Sequence, residues 1–225
     1  MHTQAVEDYL KTIFEIQRER GKVATTMLAE RLGVAPASAT GMIKRLAEMH
    51  LVVYTRYQGV TLTEAGRKIA LEVIRHHRLV ELYLAEALGV PWDQVHAEAE
   101  KWEHILSEEI EARMDEALGF PTLDPHGAPI PALDGSMLRP AQDRLRDLGL
   151  GQRAIIAEVS DHDAAALRRL GESGLYPDTA VVITGKSAEA IEVAAGGERH
   201  SIPCAIADFI FVRVVEEGAR EREKP

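Results

Sequence analysis

A mainly α-helical protein with a small β domain at its C-terminal end is the fold class this sequence predicts, and three observations predict it. Up to about residue 118, apolar residues recur at the helical period of about 3.6. A break follows, with five of the ten prolines inside residues 119–140. Beyond Gly151, short apolar alternations separated by Gly and Asp take over, a pattern that fits a small barrel of about five strands.

Val6, Tyr9, Leu10, Ile13, Phe14 and Ile16 give residues 3–20 one apolar face, so the chain opens on an amphipathic helix. Thr25 or Thr26 can cap a second helix, TMLAERLG, which Gly33 ends. Pro36 opens a third, PASATGMIKRLAEMHL, with Met42, Ile43, Leu46 and Met49 expected to face inward. LVVYTRYQGVTL reads as two β segments around Gln58-Gly59, and Thr63-Glu64-Ala65-Gly66 starts a long helix to about Leu88. Gly89-Val90-Pro91 breaks it, Asp93 can help cap the next helix, which runs to about Lys101 to Glu103, and Ser107 begins or continues another that runs to Leu118. RAIIAEVS, TAVVITG, AIEVAAG and FIFVRVV are the expected strands of the β domain, and the charged tail EEGAREREKP is expected to be disordered.

A net charge of −10 argues against nucleic acid only until its distribution is read. Residues 1–75 carry 11 Lys and Arg against 8 Asp and Glu, a balance of +3, and the remainder carries 15 against 28, a balance of −13. Phosphate attraction is local, so the N-terminal third decides. Two helices joined by a short turn and followed by a hairpin form a winged helix-turn-helix, whose second helix enters a major groove. Pro36, Ala37, Ser38, Thr40, Lys44 and Arg45 lie on its outer side, with Gly41 among them. Small residues allow close approach to base edges, while hydroxyls and cations suit phosphates. Arg56, Tyr54 and Tyr57 in the hairpin are further phosphate candidates.

Metal chemistry comes from two helical stretches. His77 and Glu81 stack at i, i+4, and His96, Glu100, Glu103 and His104 line one stripe at i, i+4, i+7, i+8. Carboxylate oxygens and imidazole nitrogens are donors that a divalent first-row metal accepts. Val95, Ala99, Trp102, Ile105 and Leu106 form an apolar stripe alongside, so the acids and histidines are not expected to be a freely solvated face.

No apolar run approaches the roughly 20 residues that cross a membrane. The N-terminus lacks the basic start and apolar block of a signal peptide, and the single cysteine, Cys204, excludes an intrachain disulfide. A cytoplasmic location is therefore expected, with Cys204 as a small core residue. HExxH, nucleophile-elbow and phosphate-loop motifs do not occur, which weighs against a metal-dependent enzyme. A winged-helix regulator that senses no metal is the other alternative.

VEDYLKTIFEI, AERLGVAPASATGMIKRLAEMHLV, RHHRLVELYL, VHAEAEKWEHILSEEIE and DPHGAPIP together resemble the diphtheria toxin repressor family, including its manganese-regulator branch, over nearly the full length. The resemblance implies a homodimeric, metal-dependent transcriptional repressor that binds double-stranded operator DNA. It implies a winged helix-turn-helix DNA-binding domain over 1–75, a helical metal-binding and dimerisation domain with the Pro-rich linker over 76–140, and an SH3-like, FeoA-like domain over 151–216, with 217–225 as tail. Carried over, the primary metal site corresponds to Asp8, Glu100, Glu103 and His104, and the second to His77, Glu81 and His96. Asp8 and Glu100 stand where the iron-sensing branch has softer Met and Cys ligands, so Mn(II) is the expected ion and Fe(II) the second choice. Lys11 stands where the two-domain manganese regulators have a ligating Glu, which speaks against a closely spaced metal pair. The longer architecture completes its second site from the C-terminal domain, where Asp161, His162 and Asp163 occupy about the right place; His162 and Asp163 are taken as candidate ligands.

Overall fold

The computed structural model describes residues 3–55, 58–139, 141 and 143–215. In chain order the elements are α1 (Gln4–Arg20), α2 (Thr25–Arg31), α3 (Pro36–Glu48), the hairpin strands β1 (Val52–Thr55) and β2 (Gly59–Leu62), α4 (Glu64–Leu88), α5 (Val95–Trp102) and α6 (Glu108–Ala117). The rest is β3 (Asp143–Arg144), β4 (Arg153–Val159), α7 (Ala164–Glu172), β5 (Ala180–Lys186), β6 (Ala190–Ala195), β7 (Glu198–Pro203), α8 (Cys204–Ala207) and β8 (Ile210–Val215). No described helix is long and apolar enough to cross a membrane. The chain forms two compact units: residues 1–80, 99–120 and 130–137 in the first, and 81–98, 121–129 and 138–225 in the second.

The first unit is built on one apolar core. Leu10 and Ile13 of α1, Leu28 of α2, Ile43 and Leu46 of α3, Val60 of β2 and Ile74 of α4 are all buried in it. Val52 pairs with Leu62 and Thr55 with Gly59, antiparallel, to make the wing. The Thr63 hydroxyl accepts from Gly66 N–H at 3.1 Å and so caps the start of α4. Gly66 is obligatory there, because a Cβ would meet the Leu51 carbonyl at 2.0 Å. α2 differs from expectation in its cap: Ala24 stands at the cap position and, among the described residues, makes no side-chain cap bond. Met49, expected inward, is 37% exposed because α3 has already ended at Glu48.

The second unit carries an antiparallel six-stranded sheet in the order β3-β8-β4-β5-β6-β7. It differs from the expected barrel: among the described residues no pairing joins β3 to β7, so the sheet stays open. Leu145, Ile156, Leu167, Val193 and Ile210 are at the centre of its core. A bulge in β4 between Ile156 and Glu158 shifts its register against β8. Next to that bulge, Gly127 lies so close to the strand that a Cβ would meet the Ala157 carbonyl at 2.0 Å. Val159 N–H donates to the His126 carbonyl at 2.9 Å, so the Asp124–Gly127 turn is fixed to the strand that leads into Asp161.

Candidate metal centres

The first cluster is assembled in the first unit from α1, α4 and the end of α5. Asp8 and Lys11 are three residues apart on α1 and share a face. α5 ends at Trp102, so Glu103 and His104 stand in the turn beyond it rather than on the continuous stripe expected from the sequence. Leaving the helix also exposes Ile105, which is 81% accessible where an apolar stripe had suggested burial. Asp8, Glu103 and His104 each offer a ligand atom within 4.8 Å of the others, and so do His77, Glu100 and Glu103.

Glu103 is the centre of this arrangement. Its side chain is fully buried and contacts His77 Nδ1 and the Lys11 ammonium, the latter at 2.7 Å. Burial opposes its charge, but His77 and Lys11 outweigh that and hold its carboxyl below the usual range. Burial raises Asp8 instead; His104 pulls it back, and Glu103 and Glu100 push it further up. For Lys11 the burial penalty is overcome by Glu103, Glu15 and Glu100, so its ammonium is held charged with a raised pKa.

His104 is oriented by a residue that sequence reasoning missed. Glu7 Oε2 accepts from its Nδ1 at 2.7 Å. Nε2 then faces Asp8 Oδ1 at 2.8 Å and Glu103 Oε1 at 3.2 Å, without hydrogen-bond alignment to either. A carboxylate on one imidazole nitrogen directs the other at a metal. His76 was also missed. Its Nδ1 donates to the Glu103 carbonyl at 3.1 Å and its Nε2 to Glu111 Oε2 at 3.2 Å, while buried Arg75 joins Glu111 to Asp115 and to the Pro131 carbonyl. Burial opposes the charge of His76, but Glu111 outweighs it and raises its pKa. This network ties the Glu103 turn to α6.

The second cluster lies in the second unit. His96 Nδ1 is 3.3 Å from Glu81 Oε1 and 3.3 Å from Asp161 Oδ2. Glu81, Asp124 and His126, all buried, place ligand atoms within 4.8 Å of one another. Asp124 Oδ1 is used locally, accepting from His126 N at 2.8 Å and Ala128 N at 2.9 Å. His126 Nε2 donates to the Trp92 carbonyl at 2.8 Å, which leaves Nδ1 toward Glu81 Oε2, 3.8 Å away and with no hydrogen-bond partner among the described residues. Burial lowers both histidines, yet Asp161 and Glu81 raise His96 to about 10, and Glu81 with Asp124 raises His126 to about 9. Burial would raise Asp161, but His96 outweighs it and holds the carboxyl well below the usual range.

The expected second-site residues are thus distributed as follows. Glu81 and His96 come together with Asp161, and the DPHG turn adds Asp124 and His126. His77 belongs to the first unit, with its Nδ1 on Glu103. His162 is 40% exposed, its Nδ1 3.3 Å from Asp161 Oδ1 and its ring edge-on to His96 at 6.0 Å. Asp163 does not join the cluster: its Oδ1 caps α7, accepting from Ala165 N and Ala166 N at 2.9 and 3.1 Å.

On the DNA-reading side, Pro36, Ala37, Ser38, Gly41, Lys44 and Arg45 are exposed on α3, and Thr40 is half-buried with its hydroxyl donating to the Pro36 carbonyl at 2.8 Å. Arg56 and Tyr57 lie outside the described residues.

A winged helix-turn-helix whose first helix carries a residue of a buried carboxylate–histidine cluster defines a metal-responsive DNA-binding protein. Residues 1–60 match the iron dependent repressor N-terminal DNA binding domain, residues 63–132 the iron dependent repressor metal binding and dimerisation domain, and residues 144–214 the FeoA domain. The iron-dependent repressor IdeR of Mycobacterium tuberculosis is 32% identical over 222 residues, which is 93% of this chain and 96% of that protein. The diphtheria toxin repressor of Corynebacterium diphtheriae is 36% identical over 128 residues, 57% of each chain. Among solved structures, a manganese-dependent transcriptional repressor in complex with manganese is 39% identical, with a TM-score of 0.89 over 93% of this chain and 100% of that one. ScaR with bound Zn²⁺ is 28% identical, with a TM-score of 0.80 over 93% and 99%. The chain belongs to the diphtheria toxin repressor family of metal-dependent transcriptional repressors.

Proposed function

We propose that this chain is a cytoplasmic repressor that binds operator DNA as a homodimer when loaded with Mn(II), with Fe(II) as the second ion. The observation that carries the choice of metal is the donor set of the first cluster. Asp8, Glu100, Glu103 and His104 supply carboxylate oxygen and one imidazole, and no sulfur donor stands among them. Hard oxygen-rich sites suit Mn(II) better than thiolate-preferring metals. The 39%-identical repressor solved with manganese supports the same choice.

In this reading residues 1–75 bind DNA, with Pro36, Ala37, Ser38, Thr40, Lys44, Arg45 and Arg56 at the duplex. Residues 76–140 hold metal and dimerise, and 151–216 form the FeoA-like domain. Glu81, His96 and Asp161, with Asp124 and His126, make a second metal centre, and His162 stands at its edge. A bound ion supplies positive charge that draws separate carboxylates together. This chain's residues do the positioning: Asp8 brings α1 to the Glu103 turn, Glu7 holds His104, and His76 and Arg75 hold the turn itself. Such an ion stabilises the DNA-binding arrangement of the dimer, whose two α3 helices must match half-sites about 34–36 Å apart or a multiple of that. Moving that equilibrium from 1:99 to 99:1 takes about 5.5 kcal/mol of differential affinity.

The test starts from chelated protein. Duplexes selected from a random pool with Mn(II) present are then titrated by fluorescence anisotropy against metal-free, Mn(II)-loaded and, anaerobically, Fe(II)-loaded protein. Tight binding is expected only with metal, and Mn(II) is expected to activate it. Equal affinity with and without metal sinks the regulatory reading. Activation by Fe(II) but not Mn(II) sinks the choice of ion alone.

A further inference from the structure

The first cluster contains two overlapping sets of ligand atoms, not one. Asp8, Glu103 and His104 form the first set, and His77, Glu100 and Glu103 form the second. Glu103 belongs to both, and a carboxylate shared between neighbouring sets is how proteins hold two divalent ions about 3.5–4 Å apart. The two sets are treated differently by this chain. In the first, His104 Nε2 is buried and makes no hydrogen bond among the described residues. In the second, a side chain already stands at the centre. Lys11 Nζ is 2.7 Å from Glu100 Oε1, 2.7 Å from Glu103 Oε2, 3.1 Å from Glu103 Oε1 and 3.1 Å from His77 Nδ1.

We propose that the Lys11 ammonium is a tethered cation that occupies the second half of a two-ion cluster, so that this cluster holds a single divalent metal ion. The inference rests on reading the cluster as a metal centre. Every polar group within reach of Nζ in that half is one that would ligate an ion, and Lys11 approaches all three of the residues that supply them. An ammonium has three donors on a compact charge, which suits it to a site lined by carboxylate oxygens and an imidazole nitrogen. Its side chain is 9% exposed, so it is part of the interior and not a surface lysine folded over the cluster. The helix explains how both jobs fit. Asp8 and Lys11, three residues apart on α1, reach the same cluster from one face, Asp8 as a ligand in one half and Lys11 as the cation in the other. One charge of +1 on a stem replaces one of +2 in solution, so this half of the cluster is filled at every metal concentration and only the other half responds.

The experiment counts ions. Full-length wild-type protein and the Lys11→Glu, Lys11→Gln and Lys11→Arg variants are dialysed to equilibrium against Mn(II), analysed for metal per chain, and examined by electron paramagnetic resonance for an exchange-coupled Mn(II) pair. Lys11→Glu is expected to bind one more ion per chain than wild type and to show the coupled signal. Lys11→Arg keeps the cation and is expected to match wild type. Lys11→Gln removes the charge without adding one, and guards against a Glu variant that fails to fold; it too should gain the extra ion. An unchanged count without coupling in folded Lys11→Gln and Lys11→Glu overturns the inference, as does a coupled pair in wild type. Wild-type protein that takes up no Mn(II) at this cluster overturns the metal-centre reading itself, and is recognised by a count in all four proteins that does not fall when Asp8 and Glu103 are replaced by Ala.

Discussion

Glu7 makes no ligand contact in the proposed first centre, yet removing it is expected to weaken metal binding there by one to two orders of magnitude. His104 carries the effect. Its Nδ1 is held by Glu7 Oε2 at 2.7 Å, and its Nε2 therefore points at Asp8 and Glu103. Without Glu7 the imidazole can rotate and can carry its proton on the nitrogen that must bind metal. Partners of this kind are worth about 10- to 100-fold in metal affinity, or about 1.4–2.8 kcal/mol at 1.4 kcal/mol per tenfold. Glu7→Gln keeps an acceptor but loses the charge that roughly doubles the strength of such a bond, so it should fall near tenfold. Glu7→Ala loses both and should fall near a hundredfold. Mn(II) titration followed by the signal of the free aquo ion measures both variants, and the second centre, which Glu7 does not touch, serves as an internal standard. Nitrogen-15 spectra of metal-free protein add a reading that a folding defect does not mimic: His104 should lose its Nδ1–H tautomer in Glu7→Ala. An Ala variant within twofold of wild type at the first centre refutes the reasoning.

Two further outcomes are expected. Lys44→Ala, at an exposed position on α3, should weaken binding to all duplexes and lower the salt slope by about one, measured by anisotropy over a salt series; altered base preference with an unchanged slope would place Lys44 on bases instead. Filling the second centre should release protons. In metal-free protein His96, raised to about 10, and His126, raised to about 9, are both charged at pH 7, so their ion pairs are fully present below the ordinary histidine pKa and are lost as pH rises through those raised values. A metal needs the lone pairs, so up to two protons leave on binding and affinity climbs with pH. Calorimetry in buffers of different ionisation enthalpy counts them, and a count of zero refutes the assignment of both histidines as ligands.

What could be read from the sequence, and what could not, follows from the range of each signal. α1 and α3 were legible because Leu10, Ile13, Ile43 and Leu46 repeat at the helical period and all go to one core. Asp8 was legible only through the resemblance, since nothing local to α1 says that a residue near 100 will meet it. The end of α5, expected at about Lys101 to Glu103, falls at Trp102; what spacing did not show is that Glu103 and His104, which continue the period of His96 and Glu100, stand in the turn beyond it. β7 was missed because ERHSIP buries only Ile202 and shows no apolar alternation. α7 interrupts a run of short apolar alternations that otherwise reads as strand, and its one local signal is Asp163 before AAAL, a helix start. That same cap explains why Asp163 and Asp161 exchange roles: the two acids look alike in SDHD, and only the backbone shows which one faces α7. Asp124 and His126 had a usable signal in DPHG, two potential ligands two residues apart in a segment too rich in proline to be helical, but their partners Glu81 and Trp92 are more than thirty residues away.

The path from metal to DNA, on the proposed reading, runs through packing and not through a chain of polar contacts. Asp8 sits on α1 between buried Val6 and Leu10, and Leu10 and Ile13 share one core with Ile43 and Leu46 of α3 and Leu71 and Ile74 of α4. Interiors of this kind are close-packed and transmit displacement with little loss. A shift of Asp8 toward the Glu103 turn therefore moves α1 and α3 together, because separating them would open a cavity at Ile43 or Leu46. Truncating a core side chain of that size typically costs about 2–5 kcal/mol, a cost of the same order as the roughly 5.5 kcal/mol that the switch requires. The DNA reader thus responds as one body. The Lys11 ammonium, anchored on the same helix one turn further along, keeps Glu100, Glu103 and His77 gathered before any ion arrives. Asp8 and His104 already lie within 4.8 Å of that carboxylate, so an ion held by the three would lock α1 in an arrangement that the chain itself prepares.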